Sequence, residues 1–476
     1  MSGNLLGSLN TAFSGLAAAQ AGIEVTGDNI ANATTPGYVR QQVDLEAVGG
    51  PAQVGPFAQA ATAGQGVRVA GIVQLGSSLL DAQARSAGAA AGYSGVTASG
   101  LSALESTLGE PSGDAISGSL SKFWSSWQDV SNQPGAPAPV AALLGKAGSL
   151  VGQIATAYRS VQSQWSQTQQ DLANTAAQVN SDASKVAQLN GQIRSVAASG
   201  GDVNALITQR SNILTELASL SGASVVNNAD QTVTVSIGGA NLVQGTIARS
   251  LSVTGSTTLE GAAGSPAGVQ WSDGAGPVSL NSGKLAGDLS LLAPATATGN
   301  GGAIAETAAK LNSLATSLAQ QVNAVSVTGT TSTGATNVAF FGMSATGPAA
   351  LGLSVLPTDA SGVAVAAAGA GAADGSIADA IGQLGTGAGS PDVAWSTGVI
   401  ALGTATSNAT QQSTLDQSAQ AAATGAQSSQ ESVSLDEENM NLIAYQHAYQ
   451  GSARVMTALD SILDQLINHT GLVGLG

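Results

Sequence analysis

Residues 154–193, IATAYRSVQSQWSQTQQDLANTAAQVNSDASKVAQLNGQI, decide the fold. Tyr158, Trp165, Leu172, Val179, Val186 and Ile193 stand seven apart without a break, and Ile154, Val161, Thr168, Thr175 and Leu189 flank them. Apolar residues at heptad spacing line one narrow seam of an α-helix. The run predicts a helix of roughly 40 residues, about 60 Å long at 1.5 Å per residue. Asn132-Gln-Pro134 to Pro139 reads as a break before it, and Gly200-Gly201 ends it. Asp202 then caps a return helix carrying Val203, Leu206, Ile213, Leu214, Leu217 and Leu220. The connection is short, so the two helices are expected to lie antiparallel.

The same heptad device stands at both ends of the chain. Leu9, Leu16, Ile23 and Ile30 fall seven apart, with Leu5, Ala12, Ala19 and Thr26 interleaved. Leu442, Tyr449, Met456 and Leu463 repeat the pattern, interleaved with Tyr445, Ser452, Leu459 and Leu466. A lone helix cannot bury such a seam, so each end needs a partner: the other end or a neighbouring subunit. That is the mark of an assembly protein.

Composition narrows the rest. Only 9% of the 476 residues are charged, against about a quarter in an average soluble protein. Gly stands at 62 and aromatics at 3%, which favours thin helical layers and small β units over one large core. The net charge of −16 opposes binding to nucleic acid. Cysteine is absent, which excludes disulfides, zinc–thiolate sites and cysteine nucleophiles. Met1 to Asn10 shows no basic stretch followed by an apolar one, so no cleaved secretory signal is expected. Neither is insertion into a membrane.

Between the helical stretches the period changes. The first helix should stop near Ala33, where Asn29, Asn32 and Thr34 compete for backbone hydrogen bonds and Pro36-Gly37 suits the centre of a type II turn before Tyr38. Val39, Val43 and Leu45 alternate as in a strand, and residues 64–73 read as a second one. Leu101, Leu104 and Leu108 belong to a helix broken by Glu110-Pro-Ser-Gly113. Asp114 is placed to cap the next, whose face is Ile116, Leu120, Phe123, Trp124 and Trp127. After Gly222, Val233, Val235 and Ile237 alternate with Thr232, Thr234 and Ser236. Ile304, Leu311, Leu318 and Val325 return to heptads, and residues 327–395 are rich in Gly, Ala and Thr with Phe340-Phe341 as their bulky anchor.

Two groups of residues together carry a family resemblance. Asp28 to Tyr38, followed by Arg40-Gln41-Gln42, resembles the N-terminal signature of the bacterial flagellar rod, hook and hook-associated axial proteins. Ser434 to Leu442, with Tyr445-Gln-His-Ala-Tyr449 and Ala453-Arg-Val455, resembles the matching C-terminal signature. Phe123 to Asp129 with Asn132-Gln-Pro134, Asp202 to Arg210 through Glu216-Leu217, and Phe340-Phe341-Gly342 are similar to the hook-associated branch that joins hook to filament. The resemblance implies an extracellular flagellar component, exported through the flagellar secretion channel without a cleaved signal. It also implies a homo-oligomeric tubular ring, contacts with the hook protein and with a second hook-associated protein on the filament side, and an export chaperone at the C-terminal helix. Longer members carry a sizeable outer domain after the Phe-Phe-Gly position, which is reduced here.

The expected fold is mainly α: an elongated coiled-coil and helical-bundle rod of terminal and central helices, with small inserted β units. Residues 1–45 and 431–476 form a terminal assembly domain, and 46–222, 283–326 and 396–430 the rod. A small β unit occupies 223–282, and 327–395 is a reduced outer segment. The expected function is structural, with no cofactor. The assembly seam is Leu9, Leu16, Ile23, Ile30, Leu442, Tyr445, Tyr449, Met456, Leu459 and Leu463. The turn motif is Asn29, Asn32, Pro36, Gly37 and Tyr38. A hook protein or another axial protein is the nearest alternative, with a filament subunit or a secreted polysaccharide-acting enzyme behind it. Catalysis is disfavoured because His447 and His469 stand 22 residues apart. Asp436, Glu437 and Glu438 read as a helix start beside Ser434. Gly385-Thr-Gly-Ala-Gly389 reads as a flexible linker, since no Gly-Lys-Ser/Thr follows it.

Overall fold

A computed structural model describes residues 2–35, 37–49, 65–371 and 373–468. In chain order it contains α1 (Ser2–Asn32), the strands β1 (Gln41–Ala47) and β2 (Val67–Gln74), α2 (Ser78–Leu108), α3 (Ile116–Asn132), α4 (Pro137–Ala198) and α5 (Asn204–Ser221). A β unit follows, with β3 (Ser224–Asn227), β4 (Val233–Ile237), β5 (Ala240–Gln244), β6 (Ile247–Ala248), β7 (Leu251–Thr254) and β8 (Gly268–Trp271). Then come α6 (Gly283–Leu291), α7 (Ala303–Ser326), β9 (Gly329–Thr331), β10 (Phe341–Met343), α8 (Ala349–Gly352), β11 (Leu353–Val355), β12 (Ala364–Ala367) and α9 (Ser376–Gly382). Two long helices close the chain, α10 (Pro391–Glu431) and α11 (Leu435–Asn468). The protein is mainly helical, with long helices and small sheets.

The heptads of α4 are the spine. Trp165, Leu172, Val179, Val186 and Ile193 are fully buried and Tyr158 nearly so. The helix is longer than the heptad run predicts: 62 residues, about 93 Å at 1.5 Å per residue. The prolines at 137 and 139 are the reason. They start the helix instead of ending the previous one, because a proline in the first turn lacks only an N–H that the helix would leave unpaired. Its composition is apolar enough to cross a membrane, yet these apolar positions form the core shared with α3, α5 and α7.

Asn190 ties α4 to α5 and to the β unit. Its amide donates to Val233 O at 2.9 Å and Gly245 O at 2.7 Å, and its carbonyl accepts from Arg210 Nη1 at 2.9 Å. Residues 190 and 210 meet on either side of the turn at Gly200, so the hairpin is antiparallel. Burial pushes the Arg210 pKa down to about 10. The side chain of Asp202 accepts from Asn204 N at 2.9 Å at the start of α5. In the β unit, β3–β6 form one antiparallel sheet, and β4 alternates buried and half-buried as its period of two requires.

Two local expectations are corrected. The start of α3 is capped by Glu110, which accepts from Ser117 N at 2.9 Å, whereas Asp114 pairs outward with Lys122. The carboxylate reaches back across the Pro111-Ser-Gly113 turn, which linear spacing does not reveal. Residues 327–395, expected as a reduced Gly/Ala-rich outer segment, carry two short strand pairs: β9 pairs with β12 and β10 with β11. Phe340 and Phe341 are buried against Phe123 and Trp127, with ring centroids 5.0 Å apart for Trp127–Phe340 and 5.7 Å for Phe123–Phe341. Asn323 holds that segment by accepting from the N–H groups of both Phe340 and Phe341 at 2.9 Å. Gly385, read as part of a linker, packs against the Trp124 ring in a short 3₁₀ turn. Its missing side chain is what admits the indole.

Candidate assembly site: the paired terminal helices

α1 packs against α11, and α10 leads into α11 alongside α2. Three contacts fix the register of the terminal pair. A β-carbon on Gly15 would stand 3.0 Å from Ser452 Oγ, and one on Gly22 would stand 2.5 Å from the Tyr445 ring. Asn29 Nδ2 donates to Glu438 Oε2 at 3.1 Å. Each step of seven along α1 is matched by seven back along α11, so the helices run antiparallel with their heptads aligned.

The centre of the interface is small, not large. On α1, which packs against the β1–β2 pair as well as α11, the buried residues include Ala12, Ala18, Ala19, Gly22, Val25 and Thr26, and the bare backbone at Gly15 and Gly22 admits the Ser452 and Tyr445 side chains. The larger seam residues Leu9, Leu16, Ile23 and Ile30 are half-buried on its flanks, as are Leu442, Tyr445, Met456, Leu459 and Leu463 on α11. Tyr449 is exposed. Beside them Phe13, Met440, Ile443, Val455 and Ile462 are exposed apolar side chains. In a single chain, therefore, much apolar surface of the terminal pair stays uncovered. Pro36, His469 and the side chains of Leu5 and Leu466 lie outside the described residues.

The turn motif closes the pair with a polar clasp. Asn29 is buried. Its amide donates to Gln41 O at 2.8 Å and its carbonyl accepts from Tyr38 Oη and Gln41 N, each at 3.0 Å. Asn32 Nδ2 donates to Asp28 O at 3.0 Å, holding the last turn of α1. Tyr38 N donates to Thr35 O at 3.2 Å, and Gly37 has φ of +75°, the positive φ that a type II turn requires at its third residue. A side chain at 37 would also meet Asn212 Oδ1 of α5 at 2.5 Å. Burial, with Asp28, Glu438 and Asp202 adding negative charge, pushes the Tyr38 pKa up to about 12, so the phenol stays a donor.

Arg40 completes the clasp. Its Nε lies 2.7 Å from Glu438 Oε1 and its Nη1 2.6 Å from Glu437 Oε2. Glu438 is buried, and its two oxygens are divided between Arg40 and Asn29. The acidic start of α11 is thus more than a cap. Ser434 Oγ does accept from Glu437 N, at 3.5 Å, but the carboxylates reach across to the N-terminal motif. On sequence alone Arg40 and Gln41 carry no role of their own, and Glu438 reads as part of a helix start. The signal was there: one arginine in one end motif and a carboxylate cluster in the other, in a chain with few charges. Among the described residues no three His, Cys, Asp or Glu side chains gather as a metal site, and His447 is exposed.

Comparison with known proteins falls on these same elements. A family profile described as the flagellar hook-associated protein FlgK helical domain matches residues 101–341. A profile of the flagella basal body rod protein matches residues 9–38, and one of the flagellar basal body rod FlgEFG protein C-terminal matches 428–469. The last two coincide with the helices that the clasp joins. The chain is 28% identical to flagellar hook-associated protein 1 of Bacillus subtilis (strain 168) over 98% of both chains. It is 32% identical to flagellar hook-associated protein 1 of Salmonella typhimurium over 51% of this chain and 43% of that one. The solved structure of the flagellar hook junction protein FlgK from Burkholderia pseudomallei shares the fold, with a TM-score of 0.63 and 17% identity over 74% of this chain and all of that one. With half the chain matched by its helical domain, the protein belongs to the flagellar hook-associated protein FlgK family.

Proposed function

We propose that this chain is the adaptor between hook and filament, a structural ring subunit whose chemistry is packing. It is a structural component of the bacterial flagellum that assembles with hook and filament components outside the cell. The observation that carries the junction role is the union of two features in one molecule. The clasped terminal pair bears the axial-protein motifs, and behind it stands the long α4–α5 hairpin that falls within the FlgK helical-domain match.

The finer reading follows from the uncovered surface. Leu9, Leu16, Ile23 and Ile30 on α1, with Leu442, Tyr445, Tyr449, Met456, Leu459 and Leu463 on α11, are the seam against neighbouring subunits in a tubular ring. Their partial exposure in a single chain supports this, because an apolar stripe of that length calls for a covering partner. Below the ring lies the hook protein and above it a second hook-associated protein. Before export the same stripe on α11 needs cover, which is the role of a chaperone that takes a helix in a groove. The chain leaves the cell through the flagellar secretion channel.

Deletion of the gene tests the reading. Cells should keep hooks, lack filaments, and release filament subunits into the medium. Normal filaments in the deletion strain would overturn it. Loss of the hooks as well would favour a hook or rod role.

A further inference from the structure

A cavity of about 620 Å³ opens between α2, α4 and α6 in the rod, within the range of about 300–1,000 Å³ that holds small ligands. α4 lines it with a polar stripe. Gln164, Gln167, Thr168, Asp171, Asn174 and Thr175 recur at spacings of three and four, which is one face of a helix. The stripe is about 16 Å long at 1.5 Å per residue. The opposite wall is α2, with Gly95, Val96, Gly100 and Ala103, and α6 adds Leu291 and Asp288. One side of the cavity is thus polar and the other is small and apolar.

Two acceptors in this cavity have no donor among the described residues. Gln164 Nε2 donates to Gly100 O at 2.7 Å, which spends the amide nitrogen and leaves Oε1 buried without a partner. Asp288 is only 5% exposed, and no donor among the described residues hydrogen-bonds its carboxyl. Buried acceptors left unpaired are costly. Asp171 brings a second carboxylate to the same space. A ligand that fits must therefore donate hydrogen bonds and carry positive charge. A metal ion needs its oxygens gathered at one point. Here they are strung along α4, and among the described residues no three acidic or histidine side chains gather. We propose that the cavity binds a linear aliphatic diamine or polyamine, its ammonium groups taken by Asp288 and Asp171 and its methylenes laid against the α2 wall. Gln164 Oε1 accepts a further N–H from the same ligand. Occupied, the site ties α2, α4 and α6 together within the rod.

Titration of the full chain with spermidine by calorimetry, at constant ionic strength, tests the site. One saturable site is expected. Asp288→Asn should weaken it by about tenfold or more, the loss of one charge-assisted hydrogen bond. Gly95→Leu tests the space instead of the charge. A β-carbon at residue 95 meets nothing within 4 Å, and leucine is the better helix former, so this chain should keep its circular dichroism and both carboxylates yet lose the ligand. The titrating groups that line the cavity are Asp288 and Lys284 on α6 and Asp171 on α4; α2 adds none. Burial and the charge of Asp171 raise the Asp288 pKa, with Lys284 opposing. Asp288 must give up its proton to hold an ammonium group, so affinity should be higher at about pH 8 than at about pH 5. Absence of saturable binding would overturn the site, as would equal affinity in the Asp288→Asn or Gly95→Leu chain or at both pH values. The same heats from tetramethylammonium, which has no N–H, would mean diffuse attraction to the net charge of −16 and would overturn it too.

Discussion

Gly22 and Tyr445 meet so closely that a β-carbon at residue 22 would stand 2.5 Å from the tyrosine ring. In an isolated helix Gly22→Ala would be favourable by about 1 kcal/mol, because glycine is a poor helix former. Here the added methyl group must displace an aromatic ring that sets the register of the terminal pair. Gly22→Ala is therefore expected to raise the helicity of a peptide spanning α1 while weakening its binding to a peptide spanning α11. Circular dichroism and titration of the two peptides measure both effects. Tighter binding by the alanine peptide would show that the close approach does not exist.

Arg40 and Glu438 are the charged core of the clasp. Removing the arginine leaves a buried carboxylate with only Asn29 as donor, a loss of about 3–5 kcal/mol by the usual penalty for breaking a buried pair. Glu438→Gln in the same chain removes the stranded charge and should restore most of the loss. A double-mutant cycle by urea unfolding reads the coupling. Additive losses would mean that the two side chains do not interact.

These two sites show which parts of the molecule the sequence discloses. The heptads of α4 and the alternation of β4 are periodic, and period alone reports the buried face. The clasp is not periodic. Asn29, Tyr38, Arg40 and Glu438 meet across about 400 positions of chain, and a carboxylate cluster at a helix start has a local explanation that hides its distant partner. Gly15 and Gly22 mislead in the same way. Read locally they weaken a helix; read against α11 they are the space into which Ser452 and Tyr445 fit. Leu9, Leu16, Ile23 and Ile30 are half-buried beside that space.

Asp288 on α6 gives a pH dependence within the rod. It is buried against α2, where Gly287 abuts Tyr93 and Val96. Desolvation, with Asp171 adding to it and Lys284 opposing, pushes its pKa up to about 7. A raised carboxyl pKa stabilises the fold most below the unfolded value and loses that contribution as pH rises through the folded one. Asp288→Asn, which mimics the protonated form, should raise the melting temperature more at about pH 8 than at about pH 5. An equal shift at both pH values would show that the carboxyl is not protonated in the fold.

Chaperone cover on α11 predicts an asymmetry between the two ends. A chain ending near Gln430 should lose the export chaperone, and a chain starting near Tyr38 should keep it. Co-purification of each with the chaperone decides between them. Retention by the C-terminal truncation, with loss by the N-terminal one, would move the binding site to α1.

The central claim is that the two ends of one chain pair in this register inside the assembled flagellum. A β-carbon at residue 15 would lie 3.9 Å from Ser452 Cβ, within the span of about 3.5–4.5 Å that a disulfide bridges. The chain has no other cysteine to compete. Flagella sheared from cells whose only copy of the gene carries Gly15→Cys with Ser452→Cys should therefore yield, on oxidation, an intrachain cross-linked monomer that migrates faster on a non-reducing gel, with filaments present. No cross-link in filament-bearing flagella, or links only between chains, would contradict the pairing.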